Sequence, residues 1–325
     1  MNSHNFFKLK KFIILTIILM QLSVAVPANE ANLPFWIGIV RTDGILVPIG
    51  TYVNGKWVKT WPEPSIDEQP EVDKLVKATD GKMKLHDIPT SWTGAIKKIP
   101  TQVYLWSEGS HPKGISVIDS EFYHSHCSGG WALKTNLPSR KERGAPTPKI
   151  GIATNINADV NPFEEIKSNS KIATLLIRAI KAEFEEREKT SPHGSPKVQG
   201  NESIELLRIY KTRHDLNGKS LYFIMAQRKY PKPQNAEDRD CYDLNILNSW
   251  VLFQGNTTSF LSTEFIITDC DGKEMNDIVP DAVITIKGNS YTVSENYGYE
   301  WESYRIHEIL DGGMKEVLSV DGGGC

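Results

Sequence analysis

Short turn motifs recur along the chain between runs of residues that favour β-strands. Each pairs a glycine with an asparagine or aspartate: Asp43–Gly44, Asn54–Gly55, Asn217–Gly218, Gly255–Asn256 and Gly288–Asn289. Such pairs accept the positive φ angles that a tight hairpin requires. Strands joined by turns this short pair antiparallel, because a parallel pair needs a long crossover connection. The sequence therefore predicts a mainly β (α+β) fold of antiparallel meander sheets, with an irregular β-propeller-like arrangement as the alternative.

One long amphipathic helix is expected among the strands. Apolar residues recur at intervals of three and four between Ile172 and Phe184, which places them on one helix face. Asn161 and Pro162 resemble an N-cap followed by a first-turn proline, so the helix is expected to begin there. A shorter, weaker helix is expected around 72–78.

Composition and the position of a serine-, proline- and glycine-rich stretch suggest how the chain is organised. Of the 325 residues, 39% are hydrophobic and 24% are charged, which is typical of a globular protein that buries its core without help from a cofactor. We therefore expect no cofactor. We expect four segments: a signal peptide at 1–28, an N-terminal β-rich half ending in the helix at 29–190, a linker at 191–203, and a C-terminal antiparallel β half at 204–325. The linker is inferred from its serine, proline and glycine content.

The first segment has the pattern of an export signal. Three lysines and no acidic residue precede position 12, an apolar run follows at 12–26, and small residues come next. Cleavage is expected after Ala28, with Ala25 as the alternative site. The apolar run of about 15 residues falls short of the ~20 that cross a bilayer as a helix. The sequence thus predicts a secreted or periplasmic protein with no stable membrane span after cleavage.

Export would place the four cysteines in a compartment where disulfides persist. Cys241 and Cys270 flank the two strands that meet at Gly255–Asn256, and they are expected to face each other across the open end of that hairpin. Cys127 and Cys325 are then paired by elimination among the three possible connectivities.

The region around Cys127 is the first candidate site. His124 and His126 would share one face of a strand, where two imidazoles can begin a zinc or copper site, although a third ligand must come from elsewhere. Cys127 would point to the other face, and half of a disulfide is the favoured interpretation, with a thiol nucleophile as the less favoured one. A solvated strand face is the simpler interpretation of the two histidines.

A second candidate is aromatic. Tyr297, Tyr299 and Trp301 alternate along the sequence and are expected to line one face of a strand, as in sugar-binding platforms, with Glu300 and Glu302 on the opposite face. A buried core face is the favoured alternative for the aromatic row.

These observations lead to a functional expectation. The chain lacks P-loop, dinucleotide-binding, nucleophile-elbow and zinc-protease motifs. Its net charge of −3 does not favour a nucleic-acid partner. We expect an exported β-rich protein with a binding or structural role in the cell envelope or outside the cell, and a glycan or another envelope component as the class of ligand. A hydrolase that uses the His124, His126 and Cys127 region is the alternative, so the sequence leaves open whether the protein is an enzyme.

Overall fold

Two antiparallel sheets make up the described part of the molecule. A computed structural model describes residues 34–60, 69–89, 99–125, 128–139, 149–191, 203–231, 242–255, 257–268 and 272–324. All the strands and helices named below lie within Phe35–Cys325, which forms one unit.

The first sheet, in the described residues, has eight strands and closes on itself. In chain order these are β1 (Phe35–Arg41), β2 (Ile45–Val53), β3 (Lys56–Lys59), β4 (Lys82–Met83), β5 (Gln102–Trp106), β6 (Lys113–Ser125), β7 (Ser128–Thr135) and β8 (Lys149–Thr154). They pair in the order β1-β8-β5-β6-β7-β2-β3, and β1 also pairs with β2, which completes a ring of six strands. We call this the closed sheet. Strand β4 pairs with β6 outside the ring, and helix α1 (Gln69–Thr79) and a short 3-10 helix (Leu85–Asp87) lie between β3 and β5 in sequence.

The second sheet has nine described strands and remains open. They are β9 (Asp159–Glu165), β10 (Glu205–Asp215), β11 (Ser220–Pro231), β12 (Tyr242–Gln254), β13 (Thr257–Thr268), β14 (Asp277–Ile286), β15 (Asn289–Gly298), β16 (Trp301–Leu310) and β17 (Gly313–Gly324). Their order is β13-β12-β11-β10-β9-β14-β15-β16-β17, and every pairing is antiparallel. The predicted mainly β fold of antiparallel sheets is therefore confirmed. Sheets of eight and nine strands differ from the four-stranded blades of the propeller alternative.

The glycine turns that lie within the described residues form as predicted, with one shift in position; Asn256 of the Gly255–Asn256 turn lies outside them. Asn54 and Gly55 have φ angles of 51° and 81° between the paired residues Val53 and Lys56, which is the left-handed geometry of a two-residue hairpin. In the β14–β15 hairpin, Ile286 pairs with Asn289, so the turn residues are 287–288. The prediction placed this turn one residue too far along the chain. Lys287 occupies the first turn position with a positive φ of 50°, although this conformation favours asparagine or glycine.

The long helix, α2 (Lys171–Thr190), begins later than predicted. The side chain of Ser170 caps it by accepting a hydrogen bond from the Ala173 backbone N–H at 3.3 Å. Asn161 and Pro162 lie instead in β9, between β10 and β14. Pairing on both sides and burial of the apolar residues of β9 outweigh the local resemblance to a helix start. The predicted start at 161–162 is wrong, while one long amphipathic helix is confirmed.

Side chains alternate between two cores along the closed sheet. On β1, Trp36 and Val40 pack with residues of β5, β6 and β7, whereas Ile37 and Ile39 pack against the second sheet. The partners from the second sheet are Ala282, Ile284, Tyr291, Val293, Tyr304 and Ile306. An apolar layer therefore joins the two sheets, as strand alternation allows.

Two further observations concern the predicted segments. Most of the proposed linker, 192–202, lies outside the described residues. Strand β9 precedes that linker in sequence and is a central strand of the second sheet. In the part of the chain that the structure describes, no helix has the length and apolar character needed to cross a membrane.

Candidate functional site

The first predicted site falls largely outside the described residues. His126 and Cys127 lie outside the described residues, and so do the other three cysteines, Cys241, Cys270 and Cys325. His124 lies on β6, opposite Gly129 of β7, and only its backbone is described. The metal pair, the thiol and both disulfides therefore stay predictions.

The aromatic candidate is built differently from the prediction. Tyr297 is the second-to-last residue of β15, Trp301 begins β16, and Tyr299 lies in the turn between them. Tyr297 pairs with Glu302, and Gly298 pairs with Trp301.

Directly paired residues share a face and neighbouring residues alternate, so Tyr297 and Trp301 lie on opposite faces of the hairpin. The expected single row of three rings on one strand is wrong. The Tyr299–Glu300 turn reverses the chain, although only Glu300 takes a left-handed φ, at 63°. A Cβ on Gly298 would lie 1.8 Å from Nε1 of Trp301, so the indole packs directly over that glycine. Tyr299 remains exposed over 53% of its surface.

The structure reveals a group of ionisable side chains enclosed between the two sheets. We call Lys149, Asp281, Glu295, Glu302 and Tyr304 the acid–base cluster. Lys149 comes from the closed sheet and the other four come from β14, β15 and β16 of the second sheet. Asp281 and Glu295 expose 1% and 4% of their side chains, and Lys149 exposes 24%. The cluster is thus a charged connection inside an otherwise apolar layer.

Direct contacts link these groups into a chain. The Lys149 Nζ donates a hydrogen bond to Oδ1 of Asp281 and lies 3.5 Å from Oε1 of Glu295. The Tyr304 hydroxyl donates to Oε1 of Glu302, and Tyr304 is the cross-strand partner of Glu295. The chain of contacts therefore runs from the closed sheet across three neighbouring strands of the second sheet.

Irregularities in three strands place these side chains. On β8 the register skips Ile150, on β14 it skips Asp281, and on β17 it skips Gly322. A β-bulge leaves one residue outside the ladder and changes the direction of nearby side chains, and bulges are frequent beside functional sites. Each of these bulges lies at a cluster residue or next to one, so the local backbone is shaped around the cluster.

Burial governs the protonation of the carboxyl groups. It raises the pKa of Glu295 from its ordinary 4.5 to about 8; Lys149 opposes this shift, while the charge of Asp281 and a hydrogen bond to Asp281 add to it. Burial also raises the pKa of Asp281, against the opposing effect of Lys149, and the hydrogen bond with Glu295 lowers it. Glu295 is therefore protonated at neutral pH and donates to Asp281, its acceptor.

Lys149 and Tyr304 are perturbed by the same surroundings. Burial lowers the pKa of Lys149, but the charges of Asp281 and Glu295 outweigh it and raise the pKa overall. Burial and the nearby Tyr123 and Glu302 hold the pKa of Tyr304 well above its ordinary value. A protonated carboxyl group beside an ion pair, with a pKa near neutrality, can both donate and accept a proton.

Sequence reasoning missed most of this cluster. The sequence predicts Glu302 only as a neighbour of Glu300 on the strand face opposite the aromatic row. The structure places Glu302 in the interior, where it is 4% exposed. One usable signal was Pro280–Asp281 inside the apolar strand 278–286, because a proline and an acid in a central strand indicate a bulge. Lys149 and Glu295 carry no such signal, since only the packing of two sheets brings them together.

Among the described residues, no group of three or more His, Cys, Asp or Glu side chains is arranged to hold a metal ion. Comparison of the chain with models of protein families, with curated proteins and with solved structures finds no match.

Proposed function

We propose that the protein is exported and acts by binding a ligand of the glycan or envelope class, with the turn between β15 and β16 as the contact. The observation that carries this proposal is the exposure of Tyr299 at that turn, where 53% of its surface is open to solvent. A large aromatic residue at the end of a hairpin offers flat apolar surface together with a hydroxyl group, which suits recognition of a sugar ring.

Charged groups accompany the exposed ring. The Nζ of Lys273 lies 5.8 Å from the centre of the Tyr299 ring, and the exposed carboxylate of Glu300 follows Tyr299 in the turn. Glu300 holds a left-handed φ of 63°, a conformation that is unfavourable for most side chains and that is often retained at functional positions. Polar groups beside an aromatic surface can bond hydroxyl groups of a ligand.

The base of this hairpin is held firmly. Glu295 on β15 and Tyr304 on β16 are paired partners and belong to the acid–base cluster, so the strands that carry Tyr299 extend from the buried layer between the sheets. Binding residues on a turn gain from a rigid scaffold because less conformational entropy is lost on association.

Calorimetric titration of the mature protein with soluble peptidoglycan fragments and other glycans tests the binding proposal. We expect one of these probes to bind, and we expect Tyr299→Ala to weaken it by about tenfold or more, equivalent to ~1.4 kcal/mol. Leu310→Ala is the matched control, because Leu310 lies beside the turn of the next hairpin and is 45% exposed. Absence of binding to every glycan, or an equal loss in both variants, would contradict the proposal.

Cell fractionation with N-terminal sequencing tests the export proposal separately. We expect the protein outside the cytoplasm with Asn29 as its first residue, following cleavage after Ala28. Recovery in the cytoplasm with residues 1–28 intact would contradict export whatever the outcome of the titrations.

A further inference from the structure

We propose that Lys149 and Asp281 become joined by an intramolecular amide bond between their side chains, with Glu295 as the group that transfers protons during its formation. This modification would connect the closed sheet to the second sheet covalently. It does not depend on the binding function proposed above.

The geometry brings the reacting groups together. The Lys149 Nζ contacts Oδ1 of Asp281, so the amine nitrogen lies beside the carboxyl carbon that it would attack. Glu295 Oε1 lies 3.5 Å from the same nitrogen, and Glu295 also shares a hydrogen bond with Asp281. Holding two reactants and a proton-transfer group in contact replaces a bimolecular encounter with a step inside one molecule.

Burial favours the uncharged reactants, although the neighbouring carboxyl groups raise the pKa of Lys149 overall and keep most of it protonated. An ammonium ion is not a nucleophile and a carboxylate is a poor electrophile, so the reaction needs the neutral amine and the neutral acid. Burial is the largest influence on the pKa of Lys149, Asp281 and Glu295 alike, and in each case it favours the neutral form. Transfer of one proton along the existing hydrogen bond converts the Lys149–Asp281 ion pair into the neutral pair without moving heavy atoms.

The atoms balance without an oxidant or another reactant. The lone pair of the lysine nitrogen attacks the carboxyl carbon of Asp281, while protonated Glu295 donates its proton to a carboxyl oxygen. Glu295 then takes a proton from the nitrogen and donates it to one hydroxyl group of the tetrahedral intermediate. The carbon–oxygen bond breaks, that hydroxyl group leaves as water, and Glu295 takes the proton of the remaining hydroxyl group as the carbonyl re-forms. Glu295 ends as it began, and the product is an amide with one water molecule lost.

The bond would resolve an unfavourable feature of the ion pair. Asp281 exposes only 1% of its side chain. Burial of an ionised carboxylate costs hydration free energy, and buried ion pairs often contribute little net stability. The amide keeps one of the two oxygens and carries no charge. The partly exposed Lys149 side chain gives the released water a route to solvent.

The placement of Asp281 supports the same inference. Its neighbours Pro280 and Ala282 pair with the adjacent residues Ser294 and Val293, so Asp281 is the bulged residue of β14. Residues in a regular ladder direct their side chains to one face or the other of their own sheet, whereas a bulge redirects a side chain. Here it reaches Lys149 on β8 of the closed sheet.

Mass spectrometry of the folded, purified protein, after denaturation and full reduction and alkylation of cysteines, tests the proposal. We expect an intact mass that is one water molecule lower than the mass calculated for the reduced and alkylated chain. After proteolysis, we expect a branched peptide in which Lys149 is joined to Asp281. Lys149→Arg and Asp281→Ala should each restore the full mass, and Glu295→Gln should slow or abolish the loss of water.

Asp119→Ala is the matched control, because Asp119 accepts a hydrogen bond from the exposed Lys84 at 2.7 Å. This variant should still lose water and yield the Lys149–Asp281 branched peptide. Unaltered wild-type mass with separate linear peptides containing Lys149 and Asp281 would overturn the proposal. Loss of water traced to any other pair of residues would overturn it as well. The wild-type measurement decides even if a variant fails to fold.

Discussion

At the scale of single residues, Gly322 shows how closely the backbone approaches the acid–base cluster. A Cβ at this position would lie 2.5 Å from Cγ of Glu302 and 2.9 Å from Cε2 of Tyr304. The carbonyl of Gly322 also accepts a hydrogen bond from the Tyr123 hydroxyl at 3.5 Å. The absence of a side chain at the β17 bulge therefore creates the room that the cluster occupies.

Gly322→Ala should destabilise the protein by about 1–3 kcal/mol, because the added methyl group overpacks a buried region. Urea-induced unfolding followed by tryptophan fluorescence measures this change. Gly114→Ala is the control: Gly114 also lies in a strand, and a Cβ there meets nothing within 4 Å. We expect the control to change stability by less than about 0.5 kcal/mol. Equal unfolding midpoints for Gly322→Ala and the wild type would show that the backbone does not make room for the cluster.

At the scale of elements, the end of α2 is fixed to the second sheet by one carboxylate. Oε2 of Glu188 accepts a hydrogen bond from Arg228 at 2.6 Å, and its Oε1 accepts one from Asn245 at 2.9 Å and another from Tyr230. Glu188 and Arg228 expose 8% and 4% of their side chains. The apolar helix face, which includes Phe184, packs on the same sheet. Removal of this carboxylate would leave the buried guanidinium group with the more distant Glu185 carboxylate, 4.0 Å away, and the Phe184 ring as its remaining charge-compensating contacts.

Glu188→Ala should therefore destabilise the protein by about 3–5 kcal/mol, the range for breaking a buried ion pair from one side. Glu186→Ala is the control, because Glu186 is 65% exposed and lies 4.0 Å from the exposed Lys189. Its substitution should change stability by no more than about 0.5 kcal/mol. Chemical denaturation of both variants measures the difference, and similar losses in the two would contradict the anchoring role of Glu188.

The elements also show which structure is predictable from sequence. The Asn54–Gly55 turn follows directly from the residue types, because few residues tolerate left-handed φ. The turn at Tyr299–Glu300 does not follow, since neither residue favours that conformation. Asn161–Pro162 resembles a helix start, and only the pairing of β9 with both neighbours places it in a strand. Local chemistry thus determines turns, whereas tertiary pairing determines ambiguous segments.

At the scale of the whole molecule, the acid–base cluster connects the two sheets. Its residues come from positions 149 to 304, and no local pattern predicts their meeting. The core-facing apolar residues of the strands can be predicted from the alternation of polar and apolar residues. The charged residues buried between the sheets cannot, because a polar residue in a strand gives the same sequence pattern whether it faces solvent or a second sheet.

The raised pKa of Glu295 links stability to pH. The folded state holds its proton up to about pH 8, whereas the unfolded chain releases it near 4.5. Between these values the folded state binds more protons, so the contribution of Glu295 to stability is complete below the lower value and is lost as pH rises through about 8. Glu295→Gln, which cannot ionise, should flatten this dependence.

Free energies of unfolding measured across that interval for both proteins test the prediction. Stability should fall with rising pH more steeply in the wild type than in Glu295→Gln. Identical pH profiles would show that Glu295 is not held protonated by its surroundings.

The mass of the mature protein, recovered from outside the cytoplasm and analysed after denaturation and reduction, tests the account most directly. A chain that begins at Asn29 and weighs one water molecule less than its sequence, with a branched peptide uniting β8 and β14, is the result we expect. A chain of full calculated mass, whose digest holds Lys149 and Asp281 only in unlinked peptides, would contradict the covalent connection between the sheets. An intact residue 1 would contradict cleavage of the signal peptide.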